Sequence, residues 1–397
     1  MTAAGSTIPE SFTPQEPLHV LTLTPFYPVS GDDAQGCFVA EPLAELARLG
    51  VENTVRAVQP FYRGGTPVSD FAVPARWERF FSVPGGWGLS TAGAFLFARL
   101  LPEVRRLQGS HPVQVIHAHS ALPCGHAALL LSRELKIPFV VTVHGLDAFC
   151  RRQVEGRAGE WCARISRSVY RSAGSVICIS EKVRDQVIEG AGARVNTTVI
   201  YNGVDPQMFS PSDREPDAPQ ILSVGNLIPI KGHELLLRAF AAIQNQFSGL
   251  SLEIIGEGPE RLRLQKLADG LGLANKVNFR GRQGRRQVAD AMRRATVFAL
   301  PSGYEGLGCV YLEAMSTGKP VIACHGQGIE EVIEPGVNGC LIAAGDLQQL
   351  ADTLVTILQQ PDLRRSMGQA ARRTILQGYS LGHQAARLFR IYRECQA

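Results

Sequence analysis

Three features of the chain predict an α/β protein with two doubly wound parallel-sheet domains facing across a cleft. Short, β-rich apolar runs alternate with longer helical patterns through the first half. A Pro- and Asp-rich stretch, "FSPSDREPDAPQ" at 209–220, then interrupts the pattern. Beyond it the alternation starts again. Strand–helix alternation implies parallel strands covered by helices on both faces, and two such series imply two sheets. The length of 397 residues fits two or three domains.

Taken in order, "HVLTLT" (19–24), "VQVIHA" (113–118), "FVVTV" (139–143), "SVICI" (175–179) and "TVIY" (198–201) read as buried strands. Helices are predicted at Phe38–Leu49, Gly125–Leu135 and Glu181–Glu189. The second series has strands at 221–224, 252–255, 277–279, 297–300, 321–323 and 340–342. The closing segment "SLGHQAARLFRIYRECQA" has a Ser380 cap and an apolar stripe at Leu381, Ala385, Leu388, Phe389 and Tyr392, so it reads as an amphipathic helix. The expected divisions are a disordered lead-in at 1–16, a first domain at 17–208, a second at 209–378 and the closing helix at 379–397.

Composition narrows the function. The chain is 45% hydrophobic and 19% charged, with a net charge of +4. That small charge does not point to nucleic-acid binding. The nine cysteines are scattered and form no CxxC pair. This argues against a zinc site or disulfide framework and for a reducing compartment. The N-terminus lacks a basic start and an apolar run, so no signal peptide is read there. No apolar stretch reaches the length needed to cross a bilayer. A cytoplasmic protein is expected.

In open α/β sheets, ligands bind beyond the carboxyl ends of the strands. "PSGYEGLGCVYLEAM" (301–315) follows such a strand. Gly303, Gly306 and Gly308 permit close backbone approach there, and a helix is expected to start near Gly308 with a positive N-terminal end. Glu313 would lie ~7.5 Å along that helix; a carboxylate there repels a phosphate but can accept two hydrogen bonds from neighbouring hydroxyls, as on a ribose. Glu305 precedes the helix. On their own, the two glutamates fit a solvated loop and helix equally well.

Lys231 stands before a helix in "SVGNLIPIKGHELLLRAF" (223–240), where a lysine suits a phosphate, although on its own it reads more readily as a surface lysine and the P-loop pattern is absent. "IIGEGPER" (254–261) is not a dinucleotide fingerprint, because Arg261 occupies the third glycine position; it reads as a turn near a sheet edge. His144, in "VVTVHGLDAF", follows a buried strand. His117, His119 and His126 offer ligands on paper, but no supporting carboxylate or cysteine spacing accompanies them, so no metal site is read. Gly36, in "TPFYPVSGDDAQGCF", suits a tight strand-to-helix turn or a close approach to phosphate. The arginine-rich 151–171 stretch reads as a solvated helix face or as a docking patch for anionic lipid.

Together these motifs resemble glycosyltransferase family 4, whose members are retaining enzymes of the GT-B architecture. "PSGYEGLGCVYLEAMSTGKPVIA" is similar to that family's two-glutamate signature. "VVTVHGLD", "VICISEKVRDQV", "VIYNGVDPQMF", "VGNLIPIKG" and "GQGIEEVIEPGVNGCLIAAGD" follow the family's order. The resemblance covers nearly the whole chain from about His19. It implies Glu313 on the nucleotide ribose, Glu305 on the donor sugar, and Lys231 on the diphosphate with the backbone of Gly306, Leu307 and Gly308. It also implies His144 beside the transferred sugar, Gly36 near the pyrophosphate, and residues 280–282 near the base. The closing helix would cross back onto the first domain. The family's usual arginine is replaced here by Asn226, which donates a hydrogen bond but carries no charge. Arg282 is the candidate to compensate.

The activity the resemblance implies is metal-independent, retaining transfer of a hexose from a UDP- or GDP-sugar to a glycan or lipid-linked saccharide. The nucleotide sugar is then the donor substrate, with no separate cofactor or metal. The basic 151–171 segment and "FLFARLL" point to peripheral contact with an anionic inner membrane face. A sugar-nucleotide epimerase on the same fold and a non-catalytic nucleotide-sugar binder stay open. The missing GxGxxG disfavours an oxidoreductase.

Overall fold

The computed structural model describes residues 17–63, 71–83, 86–148, 156–192, 195–212 and 218–396. The lead-in at 1–16, the start of the arginine-rich stretch at 151–155 and the middle of the 209–220 linker lie outside the described residues.

The first sheet has seven strands: β1 (Leu18–Thr24), β2 (Val51–Pro60), β3 (Ala75–Phe80), β4 (Val115–His119), β5 (Phe139–Val143), β6 (Ser175–Cys178) and β7 (Thr197–Val199). They run parallel in the order β3-β2-β1-β4-β5-β6-β7. Helices α1 (Cys37–Arg48), α2 (Gly86–Ser110), α3 (His126–Leu135), α4 (Gly156–Ser172) and α5 (Glu181–Ala191) connect them. The second sheet has six: β8 (Gln220–Val224), β9 (Ser251–Ile255), β10 (Val277–Gly281), β11 (Val297–Ala299), β12 (Val321–Cys324) and β13 (Cys340–Ile342). They are parallel in the order β10-β9-β8-β11-β12-β13. Helices α6 (His233–Ile243), α7 (Arg261–Gly270), α8 (Arg285–Arg294), α9 (Cys309–Ser316), α10 (Leu347–Gln359) and α11 (Pro361–Gly378) complete this half, and α12 (Leu381–Glu394) closes the chain. This is the α/β architecture of two Rossmann-like domains.

The apolar runs became strands because they are buried on both faces: every residue of β1, β4 and β5 is buried. β2 and β3 escape the sequence reading. β3 is an edge strand with Arg76, Glu78 and Arg79 in it, and an edge needs less apolar cover. In β2, Arg56 breaks the apolar pattern by pairing with Glu103 of α2 at 2.5 Å. The 254–261 turn also differs from expectation. It follows β9, which lies between β10 and β8 and is not an edge.

The strand order reverses between β1 and β4, and between β8 and β11. Such switch points open a crevice at the strand carboxyl ends. The loops after β1, β8 and β11 therefore carry the stretches singled out above. The closing helix is capped by Ser380, which accepts from His383 N. Leu388, Ile391 and Tyr392 of α12 share a core with Val39, Leu43 and Leu46 of α1. The Tyr392 hydroxyl lies 2.6 Å from His117 Nδ1 in β4. The last helix is thus built into the first sheet's flank.

Candidate active site

The loop after β11 runs into α9, with Gly308 as the N-cap at φ +85°. A Cβ on Gly308 would meet the Tyr311 ring at 2.6 Å, so the turn needs glycine. Glu305 precedes this helix start and is 7% exposed. Its Oε1 accepts from Lys231 Nζ at 2.6 Å and from Ser302 Oγ at 2.9 Å. Lys231 ends a short 3₁₀ turn (Pro229–Lys231) after β8. Gly232, at φ +72°, follows it; a Cβ there would lie 2.1 Å from Pro301 O. Gly232 thus lets the lysine loop close on the glutamate loop, and Gly303 N donates to Ile230 O at 2.7 Å between them. The pair sits beside the free N–H groups of a helix start, an arrangement that holds an anion.

Glu313 lies inside α9 and is 3% exposed. Its Oε1 accepts from Arg285 Nη1. Arg285 begins α8, and its Nε and Nη2 donate to both oxygens of Glu41 in α1, at 2.9 and 3.0 Å. Burial pushes the Glu41 carboxyl up to about 7 against the opposing pull of Arg285.

His144 follows β5. Its ring lies 4.7 Å from Phe38, 5.8 Å from Phe26 and 5.2 Å from His119, centroid to centroid. Its Nε2 is 3.0 Å from His119 Nδ1. Burial pushes His144 and His117 down to about 3 and lowers His119 as well, so all three are neutral at pH 7. Its backbone N donates to Asp147 Oδ1 at 2.7 Å. The His144 carbonyl touches the Glu305 loop: a Cβ on Gly306 would lie 2.6 Å from it.

The remaining sequence-predicted residues fall around this cluster. Leu307 is fully buried. Gly36 caps α1 at φ +71°, with the Phe26–Tyr27 backbone against it. Asn226 is exposed on the lysine loop, and its carbonyl accepts from Ile228 N at 2.9 Å. Arg282 is half exposed and pairs with Asp32 at 2.8 Å. It thus joins the loop carrying Gly36 to the second domain, rather than reaching the Lys231–Glu305 pair.

Several residues that the sequence reading missed hold the domains together. Glu331 receives the first N–H groups of α5, from Glu181 at 2.7 Å and Lys182 at 2.9 Å, so a carboxylate of one domain caps a helix of the other. Ser180 Oγ donates to Gly306 O at 2.5 Å. Gln327 Oε1 accepts from both Glu305 N, at 2.8 Å, and Lys182 Nζ, at 2.7 Å. The doubled glutamate of "GIEEVI" was the one visible hint of Glu331. Arg285 lies in "GRRQ", where nothing local says which arginine turns inward.

Comparison with known proteins bears on the family and the fold. Residues 38–208 match Glycosyltransferase Family 4 and residues 205–374 match Glycosyl transferases group 1. D-inositol 3-phosphate glycosyltransferase of Frankia alni is 31% identical over 303 residues, 70% of this chain and 74% of that one. Alpha-D-kanosaminyltransferase of Streptomyces kanamyceticus is 27% identical over 344 residues, 81% of this chain and 86% of that one. Among solved structures, Anabaena HepE in complex with UDP and glucose superposes with a TM-score of 0.72 at 22% identity, covering 94% of this chain and 98% of that one. The chain belongs to glycosyltransferase family 4 and has the GT-B fold.

Proposed function

We propose that this glycosyltransferase transfers a hexose from a UDP- or GDP-sugar, without a metal and with retention, to a glycan or lipid-linked saccharide. The observation that carries this reading is the Lys231–Glu305 pair at the start of α9, with Glu313 buried further along the same helix. The likeness to a protein solved with UDP and glucose supports the donor class.

In this reading the diphosphate lies at the helix start. The C1–oxygen bond to it breaks, and the electron pair passes to the leaving phosphate oxygen. Lys231 and the α9 N-terminus stabilise that charge from fixed positions. The acceptor oxygen bonds to C1 on the same face and gives its proton to the leaving phosphate. Glu305, freed from Lys231, accepts from the donor sugar hydroxyls, and Glu313 accepts from the ribose. His144 is neutral, so it can accept or donate beside the sugar without adding charge.

On the acceptor side, Phe61, Tyr62, Phe81, Val83 and Phe95 are exposed at or beyond the ends of β2 and β3 and on α2. The Phe61 and Phe81 rings stack at 5.3 Å, and Phe95 adjoins Phe81 at 5.0 Å. With exposed Arg63 and Arg79 nearby, this patch supports contact with an anionic membrane surface. In "FLFARLL" itself, Leu96 and Leu100 are core residues, leaving Phe95 as its exposed aromatic.

The test is turnover of UDP- and GDP-hexoses with saccharide acceptors in excess EDTA, with the product anomer read by NMR. Retained-anomer product supports the reading. Conversion of the donor alone would favour an epimerase, and binding without turnover a scaffold. Loss of activity in EDTA would end the metal-free claim. Sedimentation with anionic vesicles at low salt tests the membrane contact, and a protein left in the supernatant removes it.

A further inference from the structure

We propose that Arg285 positions Glu313 for ribose recognition, and that Glu41 of the first domain holds Arg285 in place. The inference rests on the ribose reading of Glu313 and extends it. The ribose site is then completed by a side chain of the opposite domain.

Arg285 and Arg286 open the same helix, yet Arg286 is exposed while the Arg285 side chain is 7% exposed. Its partners are equally enclosed, with Glu41 at 9% and Glu313 at 4%. The Phe209 ring lies 4.7 Å from the guanidinium carbon and adds a cation–π contact. The fork to Glu41 is bidentate, which fixes the plane of the guanidinium and leaves Nη1 directed at Glu313. Arg285 engages Oε1 of Glu313, and a diol can be accepted by Oε2.

The first domain grips the start of α8 at two further points. Asp33 Oδ1 accepts from Arg285 N at 2.9 Å, and Asp32 pairs with Arg282 at 2.8 Å. Both aspartates lie in the loop that leads through Gly36 into α1, the helix that carries Glu41. The ribose carboxylate is therefore aligned when α1 and α8 are in contact.

The experiment is calorimetric binding of UDP and GDP, each beside its 2′,3′-dideoxy counterpart, to wild type, Arg285→Lys and Glu41→Gln, with thermal unfolding as the folding control. For the nucleotide that binds, wild type should prefer the ribose form by about tenfold or more, as expected for hydrogen bonds to a charged group. Both variants should still bind the dideoxy form and should lose most of that preference. Equal weakening of both forms, with the preference kept, would mean a structural role and overturn the inference. If Arg285→Lys does not fold, Glu41→Gln carries the test. Wild type that binds neither nucleotide, or binds both forms alike, overturns the ribose reading itself and this inference with it.

Discussion

Lys231 Nζ and Glu305 Oε1 lie 2.6 Å apart, on loops that follow different strands of the second sheet. The ammonium and carboxylate satisfy one another in the closed loop pair, so neither is a buried unpaired charge. In the function proposed above, the donor phosphate draws the lysine away and the sugar hydroxyls then take the carboxylate.

Lys231→Met should lower kcat by about a hundredfold to a thousandfold, the usual cost of one preorganised charge stabiliser. Donor binding should weaken much less, because the lysine matters most as charge develops. Steady-state kinetics separates the two. An unchanged kcat with a raised KM would assign Lys231 to ground-state binding alone.

Asn226 leaves the lysine loop with one cation where the family usually has two. Asn226→Arg should raise kcat/KM for the donor by about tenfold, through a charge-assisted bond to the diphosphate. If kcat/KM does not rise, this chain has replaced that charge elsewhere.

Gly36→Ala should destabilise the fold by roughly 1–3 kcal/mol. The residue sits at φ +71°, and a Cβ would lie 2.4 Å from Tyr27 N, which is backbone and cannot swing aside. Chemical denaturation reads the loss. Stability equal to wild type would mean that the turn is relaxed.

The histidines behind His144 should make the fold acid-sensitive. Burial lowers His117 to about 3, so the folded state resists a proton that the unfolded chain accepts below its usual pKa. Stability should therefore fall as pH drops below about 6.5, by up to about 1.4 kcal/mol per pH unit for this one group. Asp147 and Glu41, both raised to about 7 by burial, act in the opposite direction. His117→Gln isolates the histidine contribution: its stability should vary less with pH than that of wild type between pH 6.5 and 5. Parallel curves for the two proteins would refute it.

The parts legible in the sequence are those with a local cause. Val20, Leu21 and Leu23 are buried on both faces of β1, so their run marked a strand. Gly308 stands where a helix begins, and Glu313 is a carboxylate in an otherwise apolar helix, a cost that implied a partner. β3 was missed because an edge strand tolerates Arg76 and Arg79. Arg285 was missed because its burial depends on Glu41, 244 positions away in the other domain. No local pattern records that meeting. The doubly wound fold follows from periodicity, whereas the contacts that join its halves depend on tertiary placement.

The most direct test is calorimetry of a panel of nucleotide sugars against wild type and Glu313→Ala. The account expects one donor to bind wild type and to lose at least about tenfold in affinity when the carboxylate is removed. A folded wild type that binds no nucleotide sugar would contradict it, as would a donor that binds Glu313→Ala equally well.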